Sequence, residues 1–486
     1  MPSLSPYNFR TKSVIAIGLV LFLFFSCKED SPVALSYPDT HLSVEKIELS
    51  GADRLNSSVR LSWYGTDRDG LVVAYEFSTD EVNWSRTTQR DSVFKFSIEA
   101  GQDSTDIDFY VRAIDNDDLI DQTPAYLSIP LKNSPPSVTF EEESFPGDTS
   151  FGVVTFRWSY DDPDGVSTVT NAYLRINEGT WYEIDRSVPM ISLRTSNSKS
   201  LGQVDADVFY RTTLSKEDLA IDGWNNNGEN VFYLKVVDLA GTESILDTSS
   251  AVFNKRQTSD LLLINGQPGN VNEEYRKLIS KVYPKGFDAI DFAENGGENQ
   301  PVFWNPTFSL LTELYDKLIF NTDQSLFANR LTSQSALLLE FAAPVMQNFT
   351  DGGGKSFVTT SFPAGFDPID IRGAFPVDSL SGTSGQAVIE TDSSIYPMDG
   401  SYPNLQPQNL VLGVDPFIPT IDAKPFYKGQ LKSFGAWKGN DVVGAIREEN
   451  GKTKQVFFSV ELYRFNKDPQ QLLMLFDRIL NTEFNW

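Results

Sequence analysis

With 486 residues and 40% hydrophobic content, the chain is long enough for roughly three globular domains. Its 66 acidic and 40 basic residues give a formal charge of −26, a field that repels phosphate backbones and excludes nucleic acid as a partner. A single histidine, His41, and a single cysteine, Cys27, exclude Ser-His-Asp and Cys-His catalysis, histidine-rich zinc sites and any internal disulfide; carboxylate-only chemistry stays open.

The first element is Val14 to Phe25, twelve uncharged residues behind Arg10 and Lys12. A basic segment followed by a short apolar one fits a secretory signal and falls short of the ~20 residues a membrane span needs. Ser26 precedes Cys27, and Lys28-Glu29-Asp30 follows. This stretch resembles the signal peptide of bacterial lipoproteins, although Phe24 and Phe25 stand where that family carries smaller or aliphatic residues. The resemblance implies cleavage after residue 26, acylation of Cys27, and anchoring to the outer membrane of a Gram-negative cell, periplasmic or surface-exposed. Acyl chains contribute about 0.8 kcal/mol per buried methylene, so the membrane becomes a partner without a spanning helix. Residues 27–41, polar and containing His41, are expected to form a tether. Without residues 1–26 the chain holds 38 basic against 66 acidic residues, a charge of −28.

Two repeats follow, over 42–133 and 135–256. Val59-Arg-Leu-Ser-Trp63 with Asp67, Asp69 and Gly70 recurs as Val154-Thr-Phe-Arg-Trp158 with Asp162, Asp164 and Gly165, 95 residues on. Alternation predicts a strand that buries Val59, Leu61 and Trp63, and in the second copy Val154, Phe156 and Trp158. Asp-Gly then predicts a turn. Ala74-Tyr75 to Trp84 is echoed by Ala172-Tyr173 to Trp181, and Phe109-Tyr-Val-Arg-Ala by Phe232-Tyr-Leu-Lys-Val. The spacing from the tryptophan to this last strand is 46 residues in one copy and 74 in the other, which predicts a 28-residue insertion, placed around Asp185 to Leu219. Short alternating strands around a buried tryptophan predict two β-sandwiches, which resemble fibronectin type III or immunoglobulin-like modules. That resemblance implies binding, spacing or presentation. Ser134-Pro-Pro136 reads as the boundary. Set against a calcium loop, Asp67, Asp69, Gly70 and Glu76 match but Gly65 and the flanking strands do not, so plain turns are expected and no metal site is assigned. Asn56, Asn83 and Asn348 open Asn-x-Ser/Thr triplets, which carry little meaning in a bacterial chain.

From Ser259 the period changes. Leu261-Leu-Leu-Ile264, Phe287 to Phe292, Lys317 to Asn321 and Ser356 to Thr360 read as strands; a segment capped by Asn272, Ser335 to Phe349 and Asp468 to Phe484 read as helices. The alternation predicts an α/β domain over 259–486 with a mostly parallel sheet covered on both faces. The Pro, Gly and Ser-rich stretch 362–425 reads as an insertion outside that sheet, with strands returning at Val442 to Arg447 and Val456 to Leu462. A helix stopped by Gly352-Gly-Gly354, the strand after it, and Val456-Phe-Phe-Ser-Val before the last helix resemble the class I glutamine amidotransferase-like fold. In that family a cysteine nucleophile follows this strand; here Thr359-Thr-Ser-Phe362 stands there, which implies that amidotransferase activity is lost. Ser361 lacks a Gly-x-Ser-x-Gly frame and a histidine base, so no catalytic residue is assigned. Gly266-Gln-Pro-Gly269 has too few glycines for a dinucleotide site, and no cofactor is expected.

The sequence therefore predicts a multidomain lipoprotein, two all-β sandwiches and an α/β domain, that binds or presents a protein or glycan without catalysis. The alternatives are a carboxylate-only enzyme acting on polysaccharide, with Trp304 and Trp437 stacking sugars, and a structural spacer in a surface assembly.

Overall fold

The computed structural model describes residues 35–44, 58–96, 101–329, 332–382 and 385–486. Residues 1–34, with the expected signal segment and Cys27, and Asn56 lie outside the described residues. The chain divides into two units, 1–134 and 135–486.

In the first unit, alternating side chains make each strand two-faced, and two sheets close over the apolar faces. One sheet has Ser58–Thr66 between Asp39–Val44 and Asp91–Lys95; the other runs Ser85–Thr87, Val72–Ser78, Ser104–Asp115, Ala125–Lys132. Val59, Leu61 and Trp63 pack on Tyr75, Phe109, Val111 and Ala113 between them. The tether expected to reach His41 stops earlier, because Asp39–Val44 pairs with the tryptophan strand. Burial of Thr40 pins that edge: its hydroxyl donates to Asp121 at 2.6 Å and accepts the Ala113 amide at 2.8 Å. Asp69 holds its turn through the Ser36 hydroxyl and amide, which keep its carboxyl below the usual range. In the second repeat the Asp162 carboxylate accepts the Asp164 amide at 2.7 Å. Both are turn roles, and among the described residues no group of three or more His, Cys, Asp or Glu is arranged to hold a metal.

The second sandwich sets Val169–Ile176 and Phe232–Asp238 against a five-stranded sheet ordered Ala220–Asn226, Gly202–Tyr210, Met190–Thr195, Val153–Asp161, Ser137–Phe140. Met190–Thr195 pairs with the tryptophan strand just as Asp91–Lys95 does in the first copy. It therefore belongs to the repeat, and the insertion falls between Thr195 and Phe232 rather than starting at Asp185. The inserted strands Gly202–Tyr210 and Ala220–Asn226 widen the sheet by edge pairing, with Ala206, Val208, Ile221 and Trp224 completing the core.

That insertion also joins the sandwich to the α/β region. Phe209 and Val153 enter a core they share with Leu262, Ile264, Phe308 and Leu311, and Leu214 packs beside it. Polar ties surround the contact: Thr307 donates to Thr155 at 2.8 Å, Gln257 donates to the Leu314 carbonyl at 2.7 Å, and Arg194 reaches Glu313 at 2.5 Å. Arg194 also lies 4.8 Å over the Phe209 ring. Removing it in Arg194→Ala is expected to lower the unfolding free energy of this unit by about 1–2 kcal/mol, read in urea denaturation, since a charge-assisted bond and a cation–π contact go together.

The α/β sheet has eight strands. Asp288–Asp291, Leu261–Asn265, Lys317–Asn321, Lys355–Thr359 and Lys452–Phe458 run parallel; Val442–Glu449, Ala423–Gly429 and Ile395–Pro397 continue it antiparallel. The sheet is thus mixed; Ile395–Pro397 lies within 362–425, the stretch expected to lie outside it, and Ala423–Gly429 begins there. Pro425 stands opposite Ala445 next to a register irregularity between Pro425 and Tyr427, and such bulges are where a strand tolerates proline. The parallel runs are apolar on both faces because both are covered. Helices Gly269–Val282 and Pro469–Asp477 cover one face through Tyr275, Ile279, Leu472 and Phe476; helix Leu338–Asp351 covers the other through Leu339, Ala342, Met346 and Phe349. Gly353, at φ +96°, ends the Leu338–Asp351 helix in a conformation that favours glycine. Among the described residues no helix is long and apolar enough to cross a membrane.

Candidate functional site

In open α/β sheets the crevice beyond the carboxyl ends of the parallel strands is the usual ligand site. Here it is filled. Asn265 and Asn321 end two adjacent strands, both fully buried, and Asn321 Nδ2 donates at 3.2 Å to both Asn265 and Asn272. Asn272 donates to the Gln267 carbonyl at 2.9 Å, and Asn265 to Asp291 at 2.6 Å. Thr359 bonds the Val460 carbonyl and the Leu462 amide, with Tyr275 3.2 Å away. Asn321 Oδ1 is buried without a hydrogen-bond partner, but the remaining side chains bond one another, and of the two readings open to this crevice, bound ligand or packed interior, that bonding favours the packed one.

The elbow after Lys355–Thr359 holds Ser361. Its hydroxyl donates to Glu461 Oε1 at 2.8 Å, a carboxylate 100 residues away. The 135–486 unit contains no histidine, and Glu461 is almost completely buried and committed to Arg464, at 3.0 and 3.2 Å. With Glu461 engaged by both Ser361 and Arg464, the pair reads as a clasp between two loops. Beside it, the Phe362 amide donates to Asp415, whose acid burial pushes up to about 7 against the effect of that bond.

A groove of about 800 Å³ lies elsewhere, between Ile395–Pro397, the loop after it and the start of helix Pro469–Asp477. Small-ligand sites usually fall in the range of about 300–1,000 Å³. Tyr396 and Tyr402 supply aromatic wall, and Asn404, Gln406, Gln430 and Gln471 supply amides. Asp468 is the one charged lining residue, and its carboxylate already caps the helix by accepting the Gln470 amide at 3.0 Å. The walls are braced from behind. Tyr427 donates to the Pro403 carbonyl at 2.9 Å, Arg478 lies 4.6 Å over the Tyr402 ring and donates to the Ser401 carbonyl at 3.0 Å, and Tyr402 donates to Glu483. Gln430 Oε1 accepts both the amide and the hydroxyl of Ser394, at 2.9 and 3.2 Å.

No protein-family model matches the sequence, and no curated protein does. Among solved structures the chain is similar to the fibronectin(III)-like modules of Clostridium thermocellum CbhA, at 12% identity over 44% of this chain and 94% of that one, TM-score 0.17. It is similar to a two fibronectin type-III domain segment of chicken tenascin, at 10% identity over 45% of this chain and 100% of that one, TM-score 0.22. The central fibronectin-III array of RIM-binding protein gives 10%, 45% and 96%, TM-score 0.15. At these scores the likeness carries no argument, and the sandwich architecture rests on the strand pairing given above.

Trp304, one candidate for stacking sugars, is buried and stacked on Phe341 at 4.4 Å, which makes it core. Trp437 is half-buried and packs against the apolar cluster on the helix Pro469–Asp477 face. Sequence reasoning missed Glu461 as the Ser361 partner, Asp415, and every groove residue. One signal was present: Asn404, Gln406, Gln408 and Gln430 make the stretch rich in amides where the chain is otherwise rich in acids.

Proposed function

We propose that this chain is a lipid-anchored, non-catalytic protein of the Gram-negative cell envelope that holds a ligand in the groove beside helix Pro469–Asp477. The observation that carries this reading is the braced groove, formed where the 362–425 stretch adds its strands to the sheet. The signal-like segment ending at Cys27 supports the anchor, and the single His41, in the unit formed by residues 1–134, supports the absence of acyl-transfer catalysis. Two sandwiches of fibronectin type III or immunoglobulin-like kind fit a spacing and presenting role. We read the α/β domain as amidotransferase-like but stripped of chemistry: five parallel strands, a helix stopped by three glycines, and an elbow with Ser361 clasped to Glu461 in place of a free nucleophile.

The anchor has a direct test. Cys27→Ser expressed in a Gram-negative host is expected to leave the membrane fraction, and mass spectrometry of the wild-type N-terminus is expected to show an acylated Cys27. An unmodified cysteine in membrane-bound wild-type protein overturns the anchor.

A further inference from the structure

We infer that the groove takes a neutral, polyhydroxylated chain, a glycan without acidic groups, as its ligand. This rests on the proposed binding role of the groove and goes further by naming the ligand's chemistry. The contrast in composition carries the argument. Charged residues make up 22% of the chain, which is strongly acidic overall, yet the groove holds a single charge, already used as a helix cap.

A groove built for an acidic polymer would place cations in its walls, because charge-assisted bonds are the strong ones and Arg is the usual recogniser of carboxylates. No cation is among the lining residues: Arg478 sits behind the wall on the Tyr402 ring and the Ser401 carbonyl. What lines the space instead is amide. Each Gln or Asn side chain offers a donor pair and an acceptor on one rigid plane, which matches neighbouring hydroxyls that both give and take hydrogen bonds. Tyr396 adds a half-buried ring whose apolar face suits the C–H face of a sugar and whose hydroxyl stays polar.

Preorganisation completes the case. Gln430 is held against Ser394 by bonds from both chain and side chain, and Pro397 and Pro403 limit the backbone of the facing loop. Weak, uncharged contacts give useful affinity only when the site is already ordered, since ordering side chains on binding consumes the gain.

The experiment measures binding of the full chain, purified in detergent, to neutral polysaccharides (starch, xylan, galactomannan) and acidic ones (alginate, polygalacturonate) by calorimetry and affinity electrophoresis. Wild type is compared with Tyr396→Ala and Gln471→Ala, each with its melting temperature recorded. The expected result is binding of at least one neutral polymer, weakened tenfold or more in both variants at unchanged melting temperature, with no binding of acidic polymers. Acidic polymer bound in preference, and lost in the same variants, overturns the ligand class while the groove remains the site. Neutral polymer bound equally by wild type and both variants overturns the groove itself, and no binding to any polymer overturns the glycan assignment. Should Tyr396→Ala melt early, Gln471→Ala on the helix surface decides alone.

Discussion

Asn321→Asp is expected to destabilise the 135–486 unit by about 3–5 kcal/mol at neutral pH, read as a lower urea midpoint at unchanged slope. Asn321 is fully buried, and its amide is the shared donor for Asn265 and Asn272. An aspartate there loses both donated bonds, leaves two buried acceptors unpaired at roughly 1–3 kcal/mol each, and places a charge beside them. A neutral carboxyl can donate one of those bonds, so the penalty is expected to shrink as pH falls. A loss below about 1 kcal/mol would mean that water or a ligand reaches this crevice, and the site would have to be sought there after all.

Asp415→Asn is expected to do the opposite and stabilise the same unit above neutral pH. The folded acid sits at about 7 against an ordinary 3.8 because burial disfavours its charged form. Between those two values the folded state keeps a proton that the unfolded chain has released. Stability therefore falls as pH rises through this window, and the loss is complete above about 7. At about 1.4 kcal/mol per unit of difference the full effect is up to ~4 kcal/mol, less for the part of the side chain that water reaches. Asparagine keeps the shape and an oxygen for the Phe362 amide but cannot ionise. The gain is expected at pH 8 and absent at pH 4; equal differences at both values would show that Asp415 is solvated.

Much of the fold was legible because periodicity reports which face of an element meets the core. Val59, Leu61 and Trp63 alternate and are buried together, as are Phe109, Val111 and Ala113. Periodicity does not report partners. Met190–Thr195 alternates as an inserted strand would, and only its pairing with Val153–Asp161 assigns it to the repeat. Ile395–Pro397 and Ala423–Gly429 sit in a proline-rich stretch that reads as loop, yet they extend the sheet because Val442–Glu449 offers an open edge. The clasp of Ser361 by Glu461 spans 100 residues, and no local pattern encodes a contact of that range.

By itself the sequence determined that the chain holds a single thiol and a single imidazole, the acidic field, the tandem strand pattern and the apolar runs of the parallel strands, since each depends on residue type or local spacing alone. Tertiary structure decided that the strand-end crevice is packed, that an inserted hairpin joins the second sandwich to the α/β sheet, and that tyrosines and amides from separate segments line one groove. These outcomes depend on which distant surfaces meet, and that is set by the best joint burial and hydrogen bonding of the whole unit.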